Sequence, residues 1–328
     1  MISVWFAYAL LTAVVYAAIA LLAKVVSGAS IDDPVTLAVY SCVPFYAVYI
    51  VAGVVLEWAA ISEASLASGT ASGAGGGTEA IALALAFGVI STAAYGVYYW
   101  GLVNGDVSRF VPTLSLETVF VLGLGFLILG EAFPADVYAG VGLVVLGALA
   151  ISYERETGSL RSSLRFSTVG VAIIAAFAFA VFNTGMKVLT ESFGTVELLF
   201  WISLGGLLSV LAIAPFRAGA RFGAALDPRQ AIQHPDQLAT GTRLLLVGGL
   251  LNAVGLFTFI RALEFGPVSL ATAVTKLDVL LVFVGALSLS KLVPAVLEEE
   301  FDPFTLVQKG TASMLVVAGC VLIQVGYA

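Results

Sequence analysis

Hydrophobic residues collect in ten long runs, at about residues 2–26, 34–58, 80–104, 107–129, 134–153, 166–190, 194–216, 243–264, 267–290 and 303–326. None keeps the strict apolar–polar alternation of a half-buried strand. Inside lipid only helices and closed barrels satisfy their own backbone, and a barrel strand needs only about 10 alternating residues. Runs of about 20 apolar residues are long enough for a helix to cross a bilayer. The pattern predicts an all-α polytopic membrane protein of about ten transmembrane helices. Prolines punctuate it where helices start: Asp32-Asp33-Pro34 ends the first connection, and Pro134, Pro267 and Pro303 fall near the heads of later runs. The first run has no basic stretch ahead of it, so it reads as a spanning helix rather than a cleaved leader.

The polar connections carry little chemistry. Residues 65–77 form a Gly/Ser/Ala tract with no lysine where a phosphate loop requires one, and read as a flexible connection. Residues 154–165 are a short charged linker near the midpoint, and the long polar connection 217–242 holds His234 and room for a small surface helix.

The two sides of that midpoint resemble each other. GDVSRFVPTLSLETVFVLG from Gly105 aligns with GPVSLATAVTKLDVLLVFVG from Gly266. Val107 meets Val268, Ser108 meets Ser269, Leu116 meets Leu277 and Glu117 meets Asp278. Upstream, Tyr98 meets Phe259, and the segment ending at Lys24 aligns with the one ending at Lys187. The chain therefore divides into repeats at 1–153 and 166–328, joined by 154–165. An odd number of crossings per repeat turns the second repeat upside down relative to the first. Inverted repeats are an architecture of secondary transporters, with the substrate held at the repeat interface near mid-bilayer.

Composition narrows the function. Of 328 residues, 60% are hydrophobic and 11% charged, against about 45–50% and about 25% in soluble chains. An ordinary soluble enzyme is excluded, as is a disordered protein. Net charge is −7 with 14 Lys plus Arg, too few cations for a nucleic-acid surface. One histidine and two cysteines in apolar runs, Cys42 and Cys320, offer no metal-binding spacing. No cofactor is expected.

The stretch from Val107 to Ile151, VSRFVPTLSLETVFVLGLGFLILGEAFPADVYAGVGLVVLGALAI, resembles the end of an EamA domain. Leu116-Glu117-Thr118-Val119-Phe120 stands at that family's Leu-Glu-Pro-Val-Phe-like stretch, with Thr118 in the place of proline. Leu129-Gly130-Glu131 matches its Leu-Gly-Glu, and a glycine-rich helix follows. The second repeat keeps Val268-Ser269, has Ser290-Lys291 at the later position, and inserts 292–302 before the last run. The resemblance implies the drug/metabolite transporter superfamily, whose members move small metabolites, amino acids or drugs, and implies cytoplasmic termini. The loop arginines, among them Arg155, Arg161, Arg217 and Arg229, lie on the opposite connections, and by the positive-inside rule would put both termini outside. The two orientations stand against each other.

Charged residues inside spans are costly and mark function by default. Glu117 lies about ten residues into its run, about 15 Å deep at 1.5 Å per residue, and Asp278 lies at the matching depth. A carboxyl out of water holds a proton more tightly, so the pair are candidates for proton coupling or for binding a cationic group. Their structural alternative is an ion pair or a hydrogen-bonded acid. Lys276 precedes Asp278 by two residues, about 200° around a helix, so on a continuous helix the two face apart. Lys24 and Lys187 are candidates for snorkelling or for gate pairs with the acids, with Asn183 one turn before Lys187. Arg261 and Glu264 suit a local ion pair. Tyr95, Tyr98 and Tyr99 form an aromatic stripe that could line a cavity, and Asn252 and Ser91 occupy equivalent positions in the two repeats and could hydrogen-bond across helices.

The expectation is a secondary transporter of a small metabolite, amino acid or drug-like solute in the cell membrane, working by alternating access with proton coupling. Its partners are the solute and the bilayer, with a homo-oligomer open. A non-transporting scaffold or receptor is the alternative. A membrane enzyme is disfavoured, because no second catalytic motif accompanies the acids.

Overall fold

The computed structural model describes residues 3–26, 34–56, 77–104, 110, 113–152, 165–217, 235–292 and 303–327. The tract at 65–76, the linker at 154–164, His234 and the loop arginines Arg155, Arg161, Arg221 and Arg229 lie outside them. The described residues are helical. The helices are α1 (Val4–Val26), α2 (Pro34–Leu56), α3 (Thr78–Asn104), α4 (Leu116–Leu124), α5 (Ala135–Ser152), α6 (Arg165–Leu189), α7 (Thr195–Arg217), α8 (Pro235–Phe265), α9 (Val268–Thr275), α10 (Leu277–Leu292) and α11 (Pro303–Gly326). A π-helical turn, Gly125–Leu129, continues α4.

Seven helical segments among the described residues are long and apolar enough to cross a bilayer, one of them made of α9 and α10 together. Three further apolar stretches, Ser41–Leu56, Leu116–Leu129 and Ala135–Ala150, are shorter. The expected ten crossings are thus met by length in seven cases.

The surface is inside-out relative to a soluble protein. Leu127 is 77% exposed, Met314 73% and Val55 72%, a large apolar exterior that water would not tolerate and lipid would. The interior combines side chains such as Phe45, Tyr46, Met186 and Ile260 with hydroxyls. Thr12 of α1 and Thr258 of α8 share a 2.8 Å hydrogen bond, the kind of polar contact that joins helices where the hydrophobic effect offers no drive between them.

The repeats interleave. Helices α1 and α8, α3 and α7, α2 and α7, and α5 and α11 pack across the halves. Antiparallel α5 and α11 meet backbone to backbone: a Cβ on Gly140 would come within 2.9 Å of the Gly319 carbonyl oxygen. Glycine is required there because only its absent side chain permits that approach. Both ends of the described chain lie on one face. Ser3 Oγ donates to Gln324 Oε1 at 3.0 Å, and the rings of Trp5, Phe133 and Tyr327 meet edge to face there.

Candidate functional site

The fourth and ninth apolar runs are each interrupted at the same repeat position. Ser115 (φ −63°, ψ −17°) precedes α4, and the Thr118 N–H donates to its carbonyl at 3.2 Å. Lys276 (φ −67°, ψ −4°) separates α9 from α10, and the Val279 N–H donates to its carbonyl at 3.3 Å. Both are tightened i→i+3 turns. Each restarts a helix whose first turn carries the acid, Glu117 in α4 and Asp278 in α10. A carboxylate at a helix N-terminus is favoured by the unpaired N–H groups and the dipole.

Lys276 and Asp278 lie on either side of a turn, with the helix broken between Thr275 and Leu277, and their side chains bond to different groups. Lys276 Nζ donates to Glu117 Oε2 at 2.8 Å across the repeats, with both side chains about 15% exposed. Asn183 Nδ2 of α6 donates to Glu117 Oε1 at 2.6 Å. Glu117 is thus held by an ammonium and an amide. Asp278 Oδ1 accepts only the N–H of Val279, at 2.7 Å, among the described residues, and Asp278 has no ion-pair partner there. It still lies in the electrostatic field of Lys276 and Glu117.

Two phenols lie within electrostatic range of this centre. Tyr16 of α1 interacts electrostatically with both Glu117 and Asp278. Tyr98 of α3 interacts with Asp278 and Lys276. Tyr16 was not singled out by the sequence, where a lone tyrosine in an apolar run looks like packing. The other stripe residues bond elsewhere. Tyr95 accepts from Asn252 Nδ2 at 3.0 Å, tying α3 to α8, and Tyr99 donates to Ser41 Oγ of α2 at 2.7 Å. Ser91 meets the Tyr46 hydroxyl of α2 at 3.4 Å. A cavity of about 590 Å³ lies among α2, α3, α6 and α7. It is lined by apolar residues such as Val89, Val97 and Trp100 and contains none of the charged candidates. Val89 and Trp100 are nearly half exposed, so this cavity opens toward the lipid-facing side and is not the charged centre.

A second polar layer lies at the face bearing the chain ends. Gly130, with φ +68°, terminates the π turn in the left-handed conformation that glycine adopts without strain. It turns Glu131 back onto the other repeat. Glu131 Oε1 accepts the Val268 N–H at 2.8 Å, and Oε2 accepts the Ser269 N–H at 3.2 Å together with the Ser269 hydroxyl. Glu131 therefore caps the first turn of α9. Lys187 Nζ donates to the Leu263 carbonyl at 2.5 Å and sits in the field of Glu131, Glu191 and Glu264, rather than of the mid-membrane acids. Arg261 pairs with Glu264, which accepts from Thr195, and its guanidinium lies 4.9 Å from the Phe265 ring centre and 5.7 Å from that of Tyr8. The side chain of Lys24 lies outside the described residues.

A family model described as the EamA-like transporter family matches the chain twice, over residues 3–153 and 166–324. One solved structure, described only as "Crystal structure of protein", superposes with a TM-score of 0.66 over 96% of this chain and 94% of that one. Its sequence is 14% identical, so the likeness concerns the fold alone. No curated protein matches. With two matched repeats, helices of spanning length and an apolar exterior, this is an integral membrane protein and a member of the EamA-like transporter family.

Proposed function

We propose that the chain is a secondary transporter in the cell membrane. It carries a small metabolite, amino acid or drug-like solute by alternating access, with a proton as the coupling ion. The observation that carries this reading is the centre at the paired helix breaks. Interrupted helices at a repeat interface are how membrane proteins build a polar site at depth without stranding backbone groups. Among the described residues the centre holds two acids and one lysine, and the lysine sits on Glu117. Asp278, with no ion-pair partner among those residues, is the acid proposed to take the proton, and Tyr16 and Tyr98 lie within electrostatic range of it. In this reading Glu117, Lys276 and Asn183 form the fixed part of the centre, and Asp278 is the exchangeable part.

The test uses proteoliposomes with an imposed pH gradient and a panel of amino acids, polyamines, nucleosides, sugars and lipophilic cations. The wild-type protein is expected to accumulate at least one of these in response to the gradient. Asp278→Asn should still exchange that solute across the membrane but ignore the gradient. Gradient-driven uptake that survives Asp278→Asn removes the coupling role. A panel in which nothing moves removes the listed solute classes and shifts weight to a non-transporting scaffold.

A further inference from the structure

The two ends of the half-helix α9 are each held by an acid from the other repeat. At its C-terminal end Lys276 pairs with Glu117 at 2.8 Å. At its N-terminal end Glu131 takes two backbone N–H groups and the Ser269 hydroxyl. Glu117 and Glu131 flank a single stretch, α4 with its π turn, so antiparallel α4 and α9 are clasped at both ends. All eight residues of α9 are buried, and Gly266-Pro267 and the Lys276 turn separate it from the neighbouring helices. It is therefore built as a discrete segment. It lies beneath the face where Trp5, Phe133 and Tyr327 meet.

From this geometry we infer that Glu131 is a positioning residue of the transport cycle: it latches α9 to the first repeat, closes the path toward the face bearing the chain ends, and holds Lys276 against Glu117. The π turn and the left-handed Gly130 immediately precede Glu131 and set the direction from which its carboxylate reaches α9. By repeat position Glu131 has no acidic counterpart: the second repeat has Ser290-Lys291-Leu292 where the first has Leu129-Gly130-Glu131. Opening toward the chain-end face must break the Glu131 contacts, and opening toward the other face leaves them intact. The inference rests on the transporter reading for its purpose only, because the latch can be measured with no solute present.

The experiment places a single cysteine at Ala273, which is fully buried in α9, in a background with Cys42→Ala and Cys320→Ala. A membrane-impermeant maleimide is then applied to sided proteoliposomes. Labelling from the chain-end face is expected to rise about tenfold in Glu131→Gln, the scale of losing one charge-assisted hydrogen bond. Labelling from the opposite face should not change, and Glu131→Asp should restore part of the protection. If Glu131→Gln fails to assemble, Ser269→Ala removes the hydroxyl contact alone and should give a smaller rise on the same face. An unchanged rate, or an equal rise from both faces, overturns the latch. Either result is independent of whether any solute on the panel is carried.

Discussion

The break at Ser115 and the break at Lys276 have the same backbone and different chemistry. Both are single-residue turns that restart a helix with an acid in its first turn. At Ser115 the turn residue makes no side-chain cap. At Lys276 it sends an ammonium across the interface to the acid of the other repeat. One carboxylate is therefore neutralised by the partner repeat's turn, and its own turn returns nothing to the other. Duplication explains the shared geometry, and one lysine in place of a serine makes the two acids unequal. Symmetric geometry with asymmetric charge gives a centre one fixed acid and one free acid.

The largest expected effect comes from removing the lysine. Lys276→Met leaves Glu117 mostly buried beside Asn183 alone, and breaking one partner of a buried pair costs about 3–5 kcal/mol. Unfolding of the detergent-solubilised protein should show that loss, and adding Glu117→Gln to the same chain should recover most of it. Recovery would show that the cost belongs to the stranded charge rather than to lost packing. Next comes Asn183→Ala, which removes a 2.6 Å hydrogen bond to a carboxylate and should cost about 1.5–3 kcal/mol. The smallest effect is expected at the other break. Asp278→Asn removes an acid with no ion-pair partner among the described residues and should move stability by less than about 1 kcal/mol. If Asp278→Asn proves as costly as Lys276→Met, the two acids are equivalent and the comparison fails.

The sequence already carried the repeat, the helical class and the identity of the buried charges, because each depends on local pattern. Glu117, Asp278 and Lys276 are visible as charges where apolar residues belong, Val107-Ser108 and Val268-Ser269 as a motif shared by the repeats, and Leu129-Gly130-Glu131 as one shared with the family. The helix breaks were not visible. Neither Ser115 nor Lys276 is a glycine or a proline, and both fit a helix by propensity. The contact made at the Lys276 turn lies in the other repeat, at Glu117, which is tertiary information. The same applies to Glu131, whose cap on α9 links residues more than a hundred positions apart, and to Tyr16, which matters only because α1 passes both acids. The hydroxyls of Tyr95 and Tyr99 bond to Asn252 and Ser41 and tie neighbouring helices together, contacts that the spacing alone does not reveal.

The close contact of Gly140 with Gly319 bears on how the molecule is held as one piece. The last helix of each repeat is knitted to the last helix of the other, and the inner helices alternate between repeats as well. Severing the chain between α5 and α6 would cut one peptide bond and none of these contacts. The covalent link between the repeats is thus a tether that sets their local concentration, while their shape fit does the joining. Two separately made halves would be pieces of a single interlocking puzzle rather than two free-standing proteins.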